Sequence, residues 1–330
     1  MNVVIQRHLY QRAPKIFSDH TDHLVFHAVE TESDRSLLEK NILEAIKKHH
    51  CKAVVIDSKK FSNDFFSALP SPFMIARFGT GTDNIPINLC QKLKLTVSTT
   101  KNSATISTAE HAIACMLSLA KKLTSCDAEI KSGRWQRPQT LELQGKTLGL
   151  IGLGMVGQQV ARMASNGFQM RTLAWVRPQK KRQAKKIVDE CLDNLLEVAM
   201  QADVVSLHLS LNEETEKIIS RDFLEKMKPE SYLINTARAK LVDNQALFEV
   251  LSEKKIAGAA LDVFEKEPYD QKDDQRDDQK DDQREKFHTL NNILLTPHIA
   301  SNSKEANERT AKEVIKNLVA FEKSAGKFGG

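Results

Sequence analysis

The stretch from residue 147 to about 167 constrains this chain more than any other. A strand-forming run, TLGLI (147–151), meets three glycines, Gly152, Gly154 and Gly157, and helical spacing follows to near Gly167. Between a strand and a helix, the first glycine allows a tight turn and the second lets backbone approach a pyrophosphate. The third lets the helix pack closely on the strand. The helix N-terminus adds free N–H groups and partial positive charge. Glycines also simply make turns; the flanking strand and helix lift the pattern above that reading.

Around this motif β and α signals alternate. TLGLI (147–151), RTLAWV (171–176), DVVSLHL (203–209), YLINT (232–236), GAALDV (258–263) and NILLT (292–296) read as strands. Such alternation predicts an α/β fold, a doubly wound parallel sheet covered by helices. Ahead of it lie shorter α/β units, with strands at 54–58 and 94–99 and an amphipathic stretch from Leu37 to Ile46. Ser107 to Glu110 has the form of a capping box, leading into a stripe of Ile113, Met116, Leu117 and Ala120. From 271 to 285 runs a mixed-charge repeat with no apolar residue, expected to be a solvated loop insertion.

Composition removes several classes. The 330 residues, 41% hydrophobic and 28% charged, suffice for two packed domains and exclude wholesale disorder. No apolar run approaches the roughly 20 residues of a membrane helix, and the first residues lack a secretory h-region, so no membrane partner is expected. Five cysteines without CxxC or metal-like spacing argue against disulfides and a metal site, and fit the cytoplasm. The 48 basic and 43 acidic residues leave +5, too little to argue for nucleic acid.

The second strand should end in an acid that binds the adenosine ribose hydroxyls. Val176 and Arg177 stand there instead, and Lys180, Lys181, Arg182, Lys185 and Lys186 follow. Some of these are a solvated basic helix. Arg177 falls where it faces the ribose, so NADP(H) is favoured modestly over NAD(H).

Ligands of open α/β sheets bind outside the carboxyl ends of the strands. That rim collects Gly152 to Gly157, Val176, Leu209, Thr236, Ala237, Arg238, Asp262 to Glu267, and His298. Each polar residue alone has a structural reading: an ion pair for Arg238, a cap for Asp262, a loop acid for Glu267, a satisfied core histidine for His298. An arginine, two acids and a histidine on one rim form a chemically coherent set.

At IARFGTGTDN (75–84), TLGLIGLGMVG (147–157), LINTARAKLVD (233–243), AALDVFEKEP (259–268) and LLTPHIAS (294–301) the chain resembles the D-isomer-specific 2-hydroxyacid dehydrogenases, over about residues 45–320. The resemblance implies a homodimeric oxidoreductase moving a hydride between NAD(P)(H) and a small 2-oxo or 2-hydroxy acid. It implies a Rossmann-type nucleotide domain at 104–296 and a smaller flavodoxin-like α/β substrate domain at 1–103 and 297–330, with the active site in the cleft. The long helix after Ser107 would be a hinge and dimer element. By motif, the catalytic residues would be Arg238 on the substrate carboxylate, His298 as acid/base, and Glu267 orienting its ring. Thr80 and Gly81 would hold the carboxylate through backbone N–H groups. Asp262 would contact the nicotinamide carboxamide, among cofactor contacts at Gly152, Gly154, Met155, Val156, Gly157, Val176, Arg177, Leu209, Thr236, Ala237 and Ala300. Asp83 and Asn84 have an equal reading as a helix start, with Pro86 in the first turn. The chain departs from the family at Val176, at Ala239 and at TTKNSA (99–104). A dinucleotide-sensing binding protein or corepressor on the same fold is the alternative.

Overall fold

A computed structural model describes residues 1–19, 23–269 and 286–325; the charged repeat expected at 271–285 lies outside them. The chain divides into two compact units, one formed by residues 1–104 and 301 onward, the other by 105–300.

The first unit holds five parallel strands, β1 (Asn2–Gln6), β2 (Val25–Val29), β3 (Ala53–Ile56), β4 (Phe73–Arg77) and β5 (Leu95–Thr99), in the order β2-β1-β3-β4-β5. That is the flavodoxin-like order. Alternate side chains of a strand point to opposite faces, so both faces of this sheet carry a core. Val4, Val54 and Ile56 pack with Leu38, Ile42 and Ile46 of the helix Arg35–Lys48, which Asp34 caps by accepting from the Leu37 N–H. Val3, Ile5 and Val55 face the other way. They join Ala311, Val314, Ile315 and Leu318 of the C-terminal helix Lys304–Ala325. Glu313 on that helix accepts from the Ser103 hydroxyl at 2.5 Å, and Arg309 donates to the Ser103 carbonyl at 2.9 Å.

The second unit holds seven parallel strands: β6 (Thr147–Ile151), β7 (Arg171–Trp175), β8 (Glu190–Leu192), β9 (Val204–Leu207), β10 (Tyr232–Asn235), β11 (Gly258–Leu261) and β12 (Ile293–Leu295). Their order, β12-β11-β10-β9-β6-β7-β8, reverses between β6 and β9. This is the Rossmann winding, whose ligand crevice opens at that reversal. No helix among the described residues is long and apolar enough to cross a membrane.

Strands β6, β7, β9, β10, β11 and β12 lie where periodicity puts them, shortened by up to three residues. The reading from periodicity lacks β1, β2, β4 and β8. All five residues of β4 are buried, so it shows no alternation, and β8 has only three residues. The capping box at Ser107 does not form, because the helix begins at Thr105 and runs to Lys121. Ser107 is buried and donates instead to the Ala300 carbonyl at 2.8 Å. Pro86 is the N-cap of the short helix Ile87–Lys92 rather than in its first turn. Asn84 donates to the carbonyls of Asp57 and Lys59. The division expected at 296/297 falls after Ala300 instead, which puts His298 in the seven-stranded unit. Asp262, at the end of β11, accepts from the Ile299 and Ala300 amides and ties this segment to that sheet.

Candidate active site

The turn after β6 demands glycine at two of its three positions. Gly152 has φ +92, and a Cβ there would lie 2.7 Å from the His208 carbonyl oxygen. A Cβ on Gly157 would lie 2.5 Å from the Gly152 oxygen, so the helix could not pack against the turn. Gly154 differs: a Cβ would meet nothing within 4 Å. It is the N-cap of the helix Met155–Phe168 and offers no side-chain acceptor to the first-turn amides. The turn is thus rigid below and open above, with N–H groups available to an anion. Met155 is exposed and Val156 half-buried on that first turn.

His208, at the end of β9, forms the floor of this turn, and sequence reasoning missed it. Burial pushes its pKa down to about 4, and Nε2 shares a 3.0 Å hydrogen bond with the Ser206 hydroxyl. The ring is therefore neutral under a place suited to phosphate. Leu209 beside it packs into the core, its Cδ2 2.7 Å from where a Gly152 Cβ would stand. The signal available in sequence was position alone, the carboxyl end of a strand next to the reversal.

At the end of β7 the Val176 side chain is buried with Ala184 and Val188, whereas Arg177 is exposed at the start of the turn Pro178–Lys180. Lys181 is ion-paired with Asp193, so part of the basic run is structural. On β10 the Asn235 amide pins the next turn, donating to the Arg238 carbonyl at 2.9 Å and accepting from the Ala237 N–H at 3.0 Å. That turn projects Arg238, whose Nη1 donates to the Ala237 carbonyl at 2.7 Å. The Thr236 hydroxyl is buried and has no hydrogen-bond partner. A buried orphan hydroxyl at a strand end fits a missing polar ligand.

Glu267 and His298 meet at 2.7 Å, Oε2 to Nδ1, with roughly a third of each side chain exposed. The other Glu267 oxygen accepts from the Phe264 N–H at 3.1 Å. The carboxylate is thereby oriented toward the ring, and Nδ1 is occupied, which leaves Nε2 as the nitrogen able to face a substrate. The inserted repeat does not part them. Its flanks are held by a 3.2 Å hydrogen bond between the Tyr269 hydroxyl and His288 Nδ1. His298 itself has φ +53.

Asp262 is only 1% exposed. Its Oδ1 accepts from the Thr296 hydroxyl (2.7 Å) and the Ile299 amide (2.9 Å), and its Oδ2 from the Ala300 amide (2.8 Å). Burial raises its pKa, but the hydrogen bonds from His111, Thr296 and the two amides outweigh it and hold the carboxyl below the usual range. In this structure Asp262 clamps the His298 turn, a task not foreseen from sequence.

Thr80 and Gly81 belong to the other unit, on the loop after β4. Thr80 donates to the Thr100 carbonyl at 2.9 Å, and the buried Arg77 braces the loop by donating to the carbonyls of Phe78 (2.6 Å) and Gly81 (3.1 Å). Arg77 was not foreseen either; only its place before FGTG hinted at it. No cluster of metal-binding side chains occurs among the described residues. All five cysteines are free thiols.

The winding and the glycine turn define a dinucleotide-dependent enzyme of the α/β class. Residues 113–300 match the profile of the D-isomer specific 2-hydroxyacid dehydrogenase, NAD binding domain. The glyoxylate reductase of Pyrococcus furiosus is 36% identical over 301 residues, 88% of this chain and 85% of that protein. The structure of D-lactate dehydrogenase from Aquifex aeolicus complexed with NAD and lactic acid superposes with a TM-score of 0.79 at 27% identity, covering 98% of this chain and 96% of the other. A glyoxylate reductase structure from Paecilomyes thermophila gives 0.80 at 26% identity, covering 97% and 94%. This chain belongs to the D-isomer specific 2-hydroxyacid dehydrogenase family. It is an NAD(P)-dependent oxidoreductase acting on the CH–OH group of a 2-hydroxy acid or, in reverse, on the 2-oxo acid.

Proposed function

We propose that this protein reduces small 2-oxo acids, glyoxylate foremost, to D-2-hydroxy acids, with NADPH preferred over NADH. The observation that carries the reading is the 2.7 Å contact of Glu267 with His298 Nδ1 at the carboxyl rim of the sheet. The relatives named glyoxylate reductase support the substrate class.

Arg238 would present its planar fork to the substrate carboxylate and the neighbouring carbonyl oxygen, a geometry lysine lacks. Backbone N–H groups at Thr80 and Gly81 would hold the carboxylate as well. His298, its ring oriented by Glu267, gives a proton from Nε2 to the carbonyl oxygen in reduction. In oxidation the same nitrogen takes the hydroxyl proton. The nicotinamide, when bound, supplies the hydride to the carbonyl carbon, or accepts it in reverse. The first-turn amides at Met155, Val156 and Gly157 would take the pyrophosphate, with Gly152 and Gly154 shaping the approach. The Thr236 hydroxyl would meet its missing partner on the cofactor, beside Ala237, Leu209, Asp262 and Ala300. Arg177 would pair with the 2′-phosphate, past Val176.

We also infer a homodimer in a reducing compartment. The helix Thr105–Lys121 buries its apolar stripe within its own unit, but Leu123, Ile130 and Trp135 just beyond it are more than half exposed, Trp135 to 80%. Exposed apolar side chains grouped this way mark an association surface. Light scattering of wild type and Trp135→Glu tests this, the variant being expected to run as a monomer.

The deciding experiment screens purified protein with NADPH and NADH against glyoxylate, hydroxypyruvate, pyruvate and bulkier 2-oxo acids. Turnover of the short acids, faster with NADPH, is the expected result. Tight cofactor binding without turnover of any of them would turn the reading to a dinucleotide-sensing binding protein.

A further inference from the structure

His111 lies on the helix Thr105–Lys121, far in sequence from every motif of the site. Its side chain is largely buried, and Nε2 stands 3.1 Å from the Thr296 hydroxyl oxygen and 3.5 Å from Asp262 Oδ1. The hydrogen-bond directions follow from the neighbours. The Thr296 hydroxyl proton is committed to Asp262, so only an oxygen lone pair is left for His111, and Nε2 must donate. Cys115, buried one turn on, partners the ring as well. The same Asp262 carboxylate fixes the Ile299 and Ala300 amides, those of the two peptides that follow His298. His111 is therefore joined through Thr296 and Asp262 to the turn that carries His298.

We propose that His111 is a positioning residue for this reaction: through Thr296 and Asp262 it fixes the 296–300 turn and balances the Asp262 charge beside His298. The inference rests on the reading of His298 as the proton donor. Titration agrees with the geometry. The hydrogen bond to Asp262, and then Cys115, raise the His111 pKa to about 10 against the opposing effect of burial. Asp262 and Cys115 are the titratable groups that face the ring. The imidazolium thus persists across the neutral range, where a buried carboxylate needs a cation.

The test compares wild type, His111→Gln, His111→Leu and His298→Ala in NADPH-dependent glyoxylate reduction across pH, on protein whose thermal unfolding is recorded in parallel. Glutamine keeps a nitrogen that donates to Thr296 but carries no charge; leucine keeps neither. His111→Leu is expected to lower kcat about tenfold or more, and His111→Gln to recover most of it at pH 7. In His111→Gln the uncompensated Asp262 charge moves the alkaline limb of the kcat profile to higher pH, which a merely structural role would not do. In the cofactor-free wild type, the His111 ring followed by NMR should titrate toward about pH 10. Variants with lowered melting temperature but unaltered kcat and pH profile, beside an inactive His298→Ala, would overturn this proposal and leave the acid/base reading standing. Retained turnover in His298→Ala would overturn both.

Discussion

The role proposed for Arg238 rests on the shape of a single side chain. Its fork depends on the turn that Asn235 pins, so the guanidinium is delivered by strand β10 rather than by a mobile loop. Arg238→Lys keeps the charge and loses the fork. In that variant kcat/KM for glyoxylate should fall about a hundredfold, about 2.7 kcal/mol, with the Kd for NADPH nearly unchanged. Steady-state kinetics with fluorescence titration of cofactor would check it, and unaltered kinetics would remove Arg238 from the mechanism. The proposed cofactor preference rests on single residues as well. Replacing Val176 with Asp and Arg177 with Ser should reverse an NADPH preference of about tenfold, and raised salt should shrink the wild-type preference. The residues proposed for the chemistry stand out in sequence because their types and order are unusual. Their supports do not. Asn235, Arg77 and His208 bond partners within four positions, in turns whose geometry only the folded chain supplies, and His111 reaches a partner 185 positions away.

Elements were legible in proportion to their contrast. The long βα alternation of the seven-stranded unit stands out, whereas β2 pairs only with β1 and carries mixed polar and apolar residues. That edge strand has a titration of its own. The His27 ring stacks on His49 with centroids 3.9 Å apart, and His27 Nε2 is buried without a partner. Burial first, then the neighbouring His49, lower the His27 pKa below its ordinary 6.5. The unfolded chain therefore binds this proton more readily. Stability is whole above pH 6.5 and declines as pH falls below it. The urea midpoint should be lower at pH 5 than at pH 7, and His49→Asn should narrow the difference. An identical interval in the variant would remove His49 from the effect and leave burial of His27 as its cause.

At the scale of the whole molecule, the five-stranded unit depends on a helix that arrives two hundred residues after its last strand. Val314, Ile315 and Leu318 are buried against that sheet. At roughly 1.5–3 kcal/mol each, their loss removes about 5–9 kcal/mol, comparable with the whole stability of a typical domain at 5–15 kcal/mol. Deleting residues 304–330 should therefore unfold the first unit. A fragment of residues 105–300 keeps both of its apolar clusters and the glycine turn. It should fold and bind NADPH, detected by calorimetry, yet show no glyoxylate turnover, lacking Thr80 and Gly81.

The Ser103 bonds to Glu313 and Arg309 and the Ser107 bond to Ala300 have a genetic meaning. Each unit ties off its own loose ends, so the seven-stranded unit sits in the chain as a parenthesis sits in a sentence. Removing it leaves the outer text grammatical: residue 104 joined to 301 by a short Gly-Ser linker should yield a five-stranded protein with cooperative thermal melting. On the proposed reading, such a cassette exchanged whole would carry cofactor choice, Arg238 and the Glu267–His298 pair together, and leave only Thr80 and Gly81 to the outer unit.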